Sequence, residues 1–336
     1  MSAPAPLVAI CMATYEPEPA LLEAQLDSIR AQTHENWACL VSDDGSSGER
    51  WERLAELTAA DPRFTLSRGE GRLGFYLNFE RALEMVPAEA GFVALADQDD
   101  RWYPEKLATL LAACAGAQLA YSDMRIVDEQ GALLAETFWE GRRNNYTNLA
   151  SLLLSNTVTG AASLFRRELL ELALPFPPPV GDPFHDQWLA SLALATGEIA
   201  YVDRPLYDYV QHGGGALGHA AAMGSWDPRR LLSPRHPRRS LRAVAAHGRR
   251  SYAENVERIG LAARTIEQRA GERMEAKKAR AVRRVARLGR PPEPAGWLAL
   301  RSLRRFAGHD ETKGIELSLL AAVWWRRLAA LRGTGP

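Results

Sequence analysis

Three carboxylates, Asp97, Asp99 and Asp100, close the short apolar run Phe92-Val93-Ala94-Leu95-Ala96 and are followed at once by Arg101, Trp102, Tyr103 and Pro104. Side chains alternate along extended backbone, so Asp97 and Asp99 project to the same side. Two carboxylates held that close repel each other, and a hard divalent cation such as Mg²⁺ or Mn²⁺ is the usual compensation. Such a cation keeps coordination positions open for phosphate oxygens. Solvated acids at a strand end before the next helix would present the same residues. The stretch by itself does not separate the two.

The element that must position these acids is a buried strand, judging by the length and flanks of the run. In an open α/β sheet, ligands sit beyond the carboxyl ends of the strands, which is where the acids emerge. Leu7 to Ala13 is a second continuous apolar run, ending in Thr14-Tyr15-Glu16-Pro17, and Trp37 to Ser42 is a third, ending in Asp43-Asp44-Gly45. Helical spacing fills the intervals: Leu22, Leu26 and Ile29 share one face, then Trp51, Leu54 and Leu57. A short strand is expected near Phe64 to Leu66, and the glycine turn Gly71-Arg72-Leu73-Gly74 introduces a helix from Phe75 to Met85. Strands and helices alternating at short spacing over residues 1–115 predict an α/β fold with a mostly parallel sheet covered on both faces. Further on, strands are expected over Gln118 to Val127, Thr159 to Phe165 and Ile199 to Val202. Helices are expected over Tyr146 to Leu154 and from His185 to Thr196, and Gln211 to Gly215 reads as a glycine loop.

Charge divides the chain in two. Its 336 residues carry no net charge, yet residues from Trp226 onward hold 26 Lys and Arg against 10 Asp and Glu, and the preceding 225 hold 15 against 31. An acidic first part and an arginine-rich second part imply two modules with different surroundings. Cys11, Cys39 and Cys114 all lie in apolar runs, as small core residues of a reducing compartment do. Residues 1–6 have neither a basic start nor a long apolar segment, so no signal peptide is expected. No apolar run reaches roughly 18 residues, so no transmembrane helix is expected either.

Seven pieces taken together resemble the inverting family 2 glycosyltransferases of GT-A fold, within them the bacterial rhamnosyltransferase-like members. They are Ala13-Thr14-Tyr15, Ser42-Asp43-Asp44-Gly45-Ser46, Leu73-Gly74-Phe75-Tyr76-Leu77-Asn78-Phe79, Leu95-Ala96-Asp97-Gln98-Asp99-Asp100, Gly160, His185-Asp186-Gln187-Trp188-Leu189-Ala190 and Tyr209-Val210-Gln211-His212-Gly213. The resemblance covers residues 7 to about 218. It implies a GT-A catalytic domain over 1–222 and a basic, mainly helical region over 223–336. It also implies transfer of a sugar from a dTDP- or UDP-linked donor to a glycan or lipid-linked acceptor in cell-surface polysaccharide synthesis, rhamnose being the sugar the likeness favours.

Roles follow from it residue by residue. Thr14, Tyr15, Asp43 and Asp44 cradle the nucleotide base, Arg72 reaches the base or the diphosphate, and Asp97 with Gln98 meets the ribose or the metal. Asp99 ligates Mn²⁺ or Mg²⁺, with His212 as a further ligand or diphosphate contact. Asp186 is the general base that takes the proton from the acceptor hydroxyl; a carboxylate at a helix start also serves as an N-cap. Trp188 stacks on a sugar face or fills the core. Many relatives place asparagine where Arg72 stands, which leaves the donor contact of that loop open.

Residues 226–336 carry no named motif. Arg238, Arg239, Arg242, Arg249, Arg250, Arg283, Arg284 and Arg287 cluster, and the segment Ile315 to Leu331 combines Leu319, Leu320, Val323, Trp324 and Trp325 with Arg326 and Arg327. Two readings stand beside each other: a peripheral anchor to an anionic membrane, placing a cytoplasmic enzyme at the inner face of the plasma membrane, and a packed helical subdomain with solvated arginines. Nucleic-acid binding has charge in its favour but no motif. Two other functions share features with the leading one. A nucleotidyltransferase also uses paired carboxylates and a metal, but needs a Gly-rich phosphate loop after the first strand, which Thr14 to Pro17 lacks. A non-catalytic sugar- or membrane-binding protein would not need Asp97, Asp99, Asp186 and His212 together.

Overall fold

The structure is a computed structural model that describes residues 5–139, 143–212, 237–290, 293–304, 308–309 and 311–331, with backbone alone for 237–241 and 293. The chain forms two compact units. The first comprises Met1–Glu140, Val158–Phe176 and Leu192–Ala222; the second comprises Gly141–Thr157, Pro177–Ser191 and Met223–Pro336.

The first unit begins with alternating strands and helices: β1 (Val8–Thr14), α1 (Pro19–Arg30), β2 (Trp37–Asp43), α2 (Gly48–Thr58), β3 (Phe64–Arg68), α3 (Phe75–Glu84) and β4 (Phe92–Ala96). β1 is apolar on both faces because both are covered, as parallel strands require; Val8 to Met12 are fully buried. Pro19 opens α1 where its missing N–H costs nothing, and the Glu18 carboxylate accepts from the Leu21 N–H at 3.0 Å. Leu22, Leu26 and Ile29 then face the sheet, each contributing roughly 1.5–3 kcal/mol by leaving water.

β5 (Arg101–Trp102), α4 (Lys106–Ala113), β6 (Leu119–Asp128) and β7 (Leu133–Ala135) follow. After α5 (Leu149–Leu154) come β8 (Ser163–Arg166), α6 (Leu170–Ala173), α7 (His185–Thr196) and β9 (Ile199–Gln211). The strands form one sheet ordered β3-β2-β1-β4-β8-β6-β9-β5, with β7 beside β6. Pairing is parallel from β3 through β4 and again between β6 and β9, while β8 runs antiparallel to both β4 and β6. The sheet is therefore mixed, and its first half is the parallel α/β arrangement expected.

The differences from expectation have local causes. β9 runs nine residues beyond Val202 because a register shift accommodates Asp203-Arg204-Pro205: Ser122 pairs with Val202, yet Asp123 already faces Pro205. The strand expected from Thr159 begins only at Ser163; Gly160–Ala162 form a 3₁₀ turn whose Gly160 carbonyl accepts from the Ser163 hydroxyl. α5 starts at Leu149 rather than Tyr146, capped by the Asn148 side chain, which accepts from the Ser151 N–H.

The second unit is helical: α8 (Pro237–Ser251), a π-helical turn at Tyr252–Val256, α9 (Glu257–Ala270), α10 (Ala276–Ala286), α11 (Glu293–Ser302) and α12 (Ile315–Leu331). It has its own core, with Ile259, Ile266, Val282, Val285, Leu298, Leu319 and Val323 buried. Arg301 is buried there too, donating to Ser151 Oγ at 2.7 Å and paired with Glu316; burial lowers its pKa and Glu316 opposes that. Segments 141–157 and 177–191 join this unit, where a single boundary at 222/223 was expected. Gln187 shows why: its amide donates to the Leu152 and Leu153 carbonyls and accepts from Arg258 at 2.6 Å. Of the glycine loop expected over Gln211 to Gly215, Gln211 instead ends β9 through its pairing with Asp128, while 213–215 and the Arg238 and Arg239 side chains lie outside the described residues.

Candidate active site

Register places the acids. Thr14 lies opposite Asp43 across β1 and β2, and Met12 opposite Ala96 across β1 and β4. Thr14, Asp43 and Asp97 therefore emerge at neighbouring carboxyl ends of three parallel strands, the position where open α/β sheets bind ligands.

Asp43 is fully buried. Its carboxylate accepts from the Ser46 N–H at 2.9 Å, the Ser46 hydroxyl at 2.5 Å and the Thr14 hydroxyl at 3.1 Å. Asp44 accepts from the Leu73 and Gly74 N–H groups, both at 2.8 Å. Asp44 thus fixes the turn that carries Arg72 to the start of α3; Gly74 there has φ +83°, a conformation that costs any residue with a Cβ. The Arg72 guanidinium lies 4.2 Å from the centre of the Tyr15 ring. Tyr15 is 37% exposed, so this stacked pair presents an open aromatic and cationic face. Gln98 accepts from the Tyr15 N–H at 2.9 Å and donates to the Tyr15 carbonyl, tying the loop after β4 to the loop after β1.

Behind these loops a buried polar lock joins α3 to the strand ends. Asn78 donates to the Thr14 and Ser42 carbonyls and accepts from the Ser42 hydroxyl at 2.8 Å. Arg81 donates to Ser42 Oγ at 2.7 Å and to the Asp43 carbonyl. Asn78→Ala would remove three buried hydrogen bonds and take from the Ser42 hydroxyl the acceptor of its proton, so the substitution should cost about 2–3 kcal/mol. Thermal denaturation should show this as a fall in Tm of about 4–10 °C; an unchanged midpoint would mean that the lock carries no net stability.

Asp99 and His212 stand together, carboxylate Oδ2 and imidazole Nε2 being 2.7 Å apart and both partly buried. They come from the loop after β4 and the residue after β9, so the long β9 delivers the histidine. Asp100 is fully buried; burial, then Asp97 and Asp99, push its pKa well above the carboxylate range, and Lys106 opposes them. Lys106 was not singled out by the sequence reading. It is fully buried at the start of α4, donates to the Ala161 carbonyl at 2.5 Å and stands over the Trp102 and Tyr207 rings at 3.8 and 4.1 Å. Burial holds its pKa well below the usual lysine value. Tyr209, from β9, also has its pKa raised, first by burial and then by Asp100, Asp97 and Asp99. Among the described residues no group of three or more His, Cys, Asp or Glu could hold a metal.

Asp186 and Trp188 belong to the second unit. Asp186 sits in the first turn of α7 and accepts from the Gln187 N–H at 2.5 Å. Trp188 is 3% exposed with the Arg269 guanidinium 5.7 Å from its ring. Of its two readings, burial matches the core and leaves no open face for a sugar. His185 beside them is buried, which pushes its pKa down to about 3.

A mixed sheet with parallel β3 to β4, acids at its carboxyl edge and helices around it is the GT-A fold. Residues 9–172, just under half of the chain, match the model of glycosyl transferase family 2. The chain is similar to the succinoglycan biosynthesis protein ExoW of Rhizobium meliloti, 39% identical over 95 residues that make up 28% of this chain and 29% of that protein. It is also similar to the UDP-Glc:alpha-D-GlcNAc-diphosphoundecaprenol beta-1,3-glucosyltransferase WfgD of Escherichia coli, 36% identical over 101 residues, 30% of this chain and 38% of that protein. The chain thus spans well under half the length of these curated relatives. Among solved structures, TarS 1–349 of S. aureus in complex with UDP-GlcNAc aligns with 98% of this chain and 92% of its own, with TM-score 0.54 and 16% identity, a likeness of fold.

Proposed function

We propose that the chain is an inverting glycosyltransferase that moves a sugar from a nucleoside-diphosphate sugar to a glycan or lipid-linked acceptor in polysaccharide synthesis. The observation that carries this reading is the Asp99–His212 pair at the carboxyl edge of the parallel strands, beside Asp97 and the exposed Tyr15–Arg72 face. Tyr15 offers a ring for the base to stack on, and Arg72 a cation within reach of base or phosphate. Asp43 and Asp44 act by shaping the loops that present them, since their oxygens already serve Ser46, Thr14, Leu73 and Gly74.

Asp99 and His212 fit a divalent cation: one carboxylate oxygen and one imidazole nitrogen face each other, leaving the remaining positions to phosphate oxygens and water. Imidazole beside carboxylate suits Mn²⁺ better than Mg²⁺, which prefers oxygen alone. When bound, the ion neutralises charge on the departing nucleoside diphosphate. Asp186 is the residue we assign to the acceptor hydroxyl, where its carboxylate accepts the proton as the oxygen attacks. The donor class is dTDP- or UDP-linked, with rhamnose the sugar favoured by sequence likeness, and the first 222 residues carry the transfer. Location at the inner face of the plasma membrane follows from a lipid-linked acceptor.

Calorimetric titration of UDP and dTDP with and without Mn²⁺, on wild type and Asp99→Ala, tests the donor site. Binding that needs Mn²⁺ and disappears in the variant is the expected result. Equal binding by folded wild type and variant, with or without metal, would overturn it.

A further inference from the structure

Ten large apolar side chains are exposed among the described residues; four of them, Leu300, Trp324, Leu328 and Leu331, fall within the last two helices, and Leu303 follows the first of these. On α12 the exposed residues keep helical order. Trp324, Arg327, Leu328 and Leu331 are spaced i, i+3, i+4, i+7 and form one outward stripe. The opposite face is already used: Leu319, Ala322 and Val323 are buried, and Trp325 packs against Tyr252 with ring centres 6.1 Å apart. The stripe is therefore surplus to the core of the second unit. Its cost in water is not offset by any described packing.

The chemistry around the stripe selects what could cover it. After Glu316 the sequence holds Arg326, Arg327 and Arg332 and no acidic residue. The two acids closest before the stripe, Glu311 and Glu316, are buried and paired with Arg304 and Arg301. The Arg327 guanidinium lies 5.5 Å from the Trp324 ring centre, so its stem runs along the aromatic surface and its charge stays at the rim. Elsewhere in the same unit, Arg280, Arg283 and Arg284 are exposed on α10. Tryptophan and leucine with flanking arginine, and no carboxylate among them, match the headgroup level of a bilayer: apolar groups reach the acyl boundary while guanidinium groups meet lipid phosphates. A protein partner would satisfy the apolar stripe alone, whereas the positive charge beside it calls for an anionic surface.

We infer that Trp324, Leu328 and Leu331, with Arg327, dock the protein onto an anionic phospholipid bilayer by shallow insertion of α12. Apolar contact and charge are both required, since one weak signal alone gives marginal membrane binding. The inference stands apart from the donor chemistry, because it concerns a different unit and is read without substrate.

The test is flotation of the full chain with vesicles of phosphatidylcholine alone and of phosphatidylcholine with phosphatidylglycerol. The wild type should float with the anionic vesicles, remain behind with the zwitterionic ones, and be released at high salt. Leu328→Ser with Leu331→Ser, at exposed positions, should lower the bound fraction by about tenfold or more at unchanged Tm. Arg327→Gln gives a second readout that leaves the apolar face intact and should reduce binding to the anionic vesicles. Wild type that stays behind with anionic vesicles would overturn the inference. So would floating that both variants retain, or a dimer seen in sedimentation that the leucine variants abolish while no lipid binding is found. Vesicle binding without any nucleotide binding would uphold docking and count against the proposed transferase reading instead.

Discussion

Asp99→Asn should lower kcat/KM by about a thousandfold or more while leaving the fold intact. Removal of one charge-stabilising group from a transfer site typically costs 10²–10³ in rate, and loss of a metal ligand adds the ion's share of leaving-group stabilisation. The substitution is nearly isosteric, so it tests charge and ligation rather than space. Asp99 is partly exposed and its described partner is His212 at 2.7 Å, so stability has little to lose. His212→Asn should weaken Mn²⁺ dependence in the same direction, because an imidazole nitrogen is replaced by an amide. Sugar transfer is measured across a Mn²⁺ titration with the donor that calorimetry identifies, alongside thermal denaturation. Wild-type turnover undiminished by a chelator, together with an Asp99→Asn rate within threefold of wild type, would remove the pair from the reaction.

How much of this was legible in the sequence depends on how local each cause is. β1, β2 and β4 were readable because both faces are buried, so their apolar runs are unbroken from Val8, Trp37 and Phe92. The acids at their ends were readable for the same reason, as abrupt polarity after a run. β9 was legible only to Val202, because Asp203-Arg204-Pro205 breaks its pattern and only pairing with β6 shows that the strand continues. That continuation is what carries His212 to Asp99. The division of labour among the acids was not legible either. Asp43 and Asp44 differ from Asp99 in their partners, and those partners lie at Thr14 and at Leu73-Gly74, some thirty residues away. Lys106 gave no periodic or motif signal; its burial against Trp102 and Tyr207 exists only once β5 and β9 are paired. Trp188 could not be assigned from type alone, since the same residue serves cores and sugar sites; in the structure it is buried.

Asp186→Asn should reduce kcat by about 10²–10⁴, the span expected for loss of a general base, while donor binding stays within about twofold. The bland alternative for this residue is structural: a carboxylate in the first turn of α7 interacts favourably with the helix dipole, worth about 0.3–1 kcal/mol. Asparagine keeps the size and the acceptor that receives the Gln187 N–H, so its cost to the fold should be only a few tenths of a kcal/mol to about 1 kcal/mol. The two roles therefore separate in one pair of measurements. A base predicts a large fall in kcat, unchanged calorimetric affinity for the nucleoside diphosphate, and loss of the rising limb of the pH–rate profile. A helix-start role predicts a fall in Tm of a few degrees with kcat nearly intact. Asp186→Glu sharpens the distinction, because a carboxylate one methylene longer can recover part of the proton transfer but not the original geometry. Partial recovery of kcat in the Glu variant, absent from the Asn variant, would tie the rate to proton acceptance. If both variants turn over like wild type, Asp186 is not the group that takes the acceptor's proton.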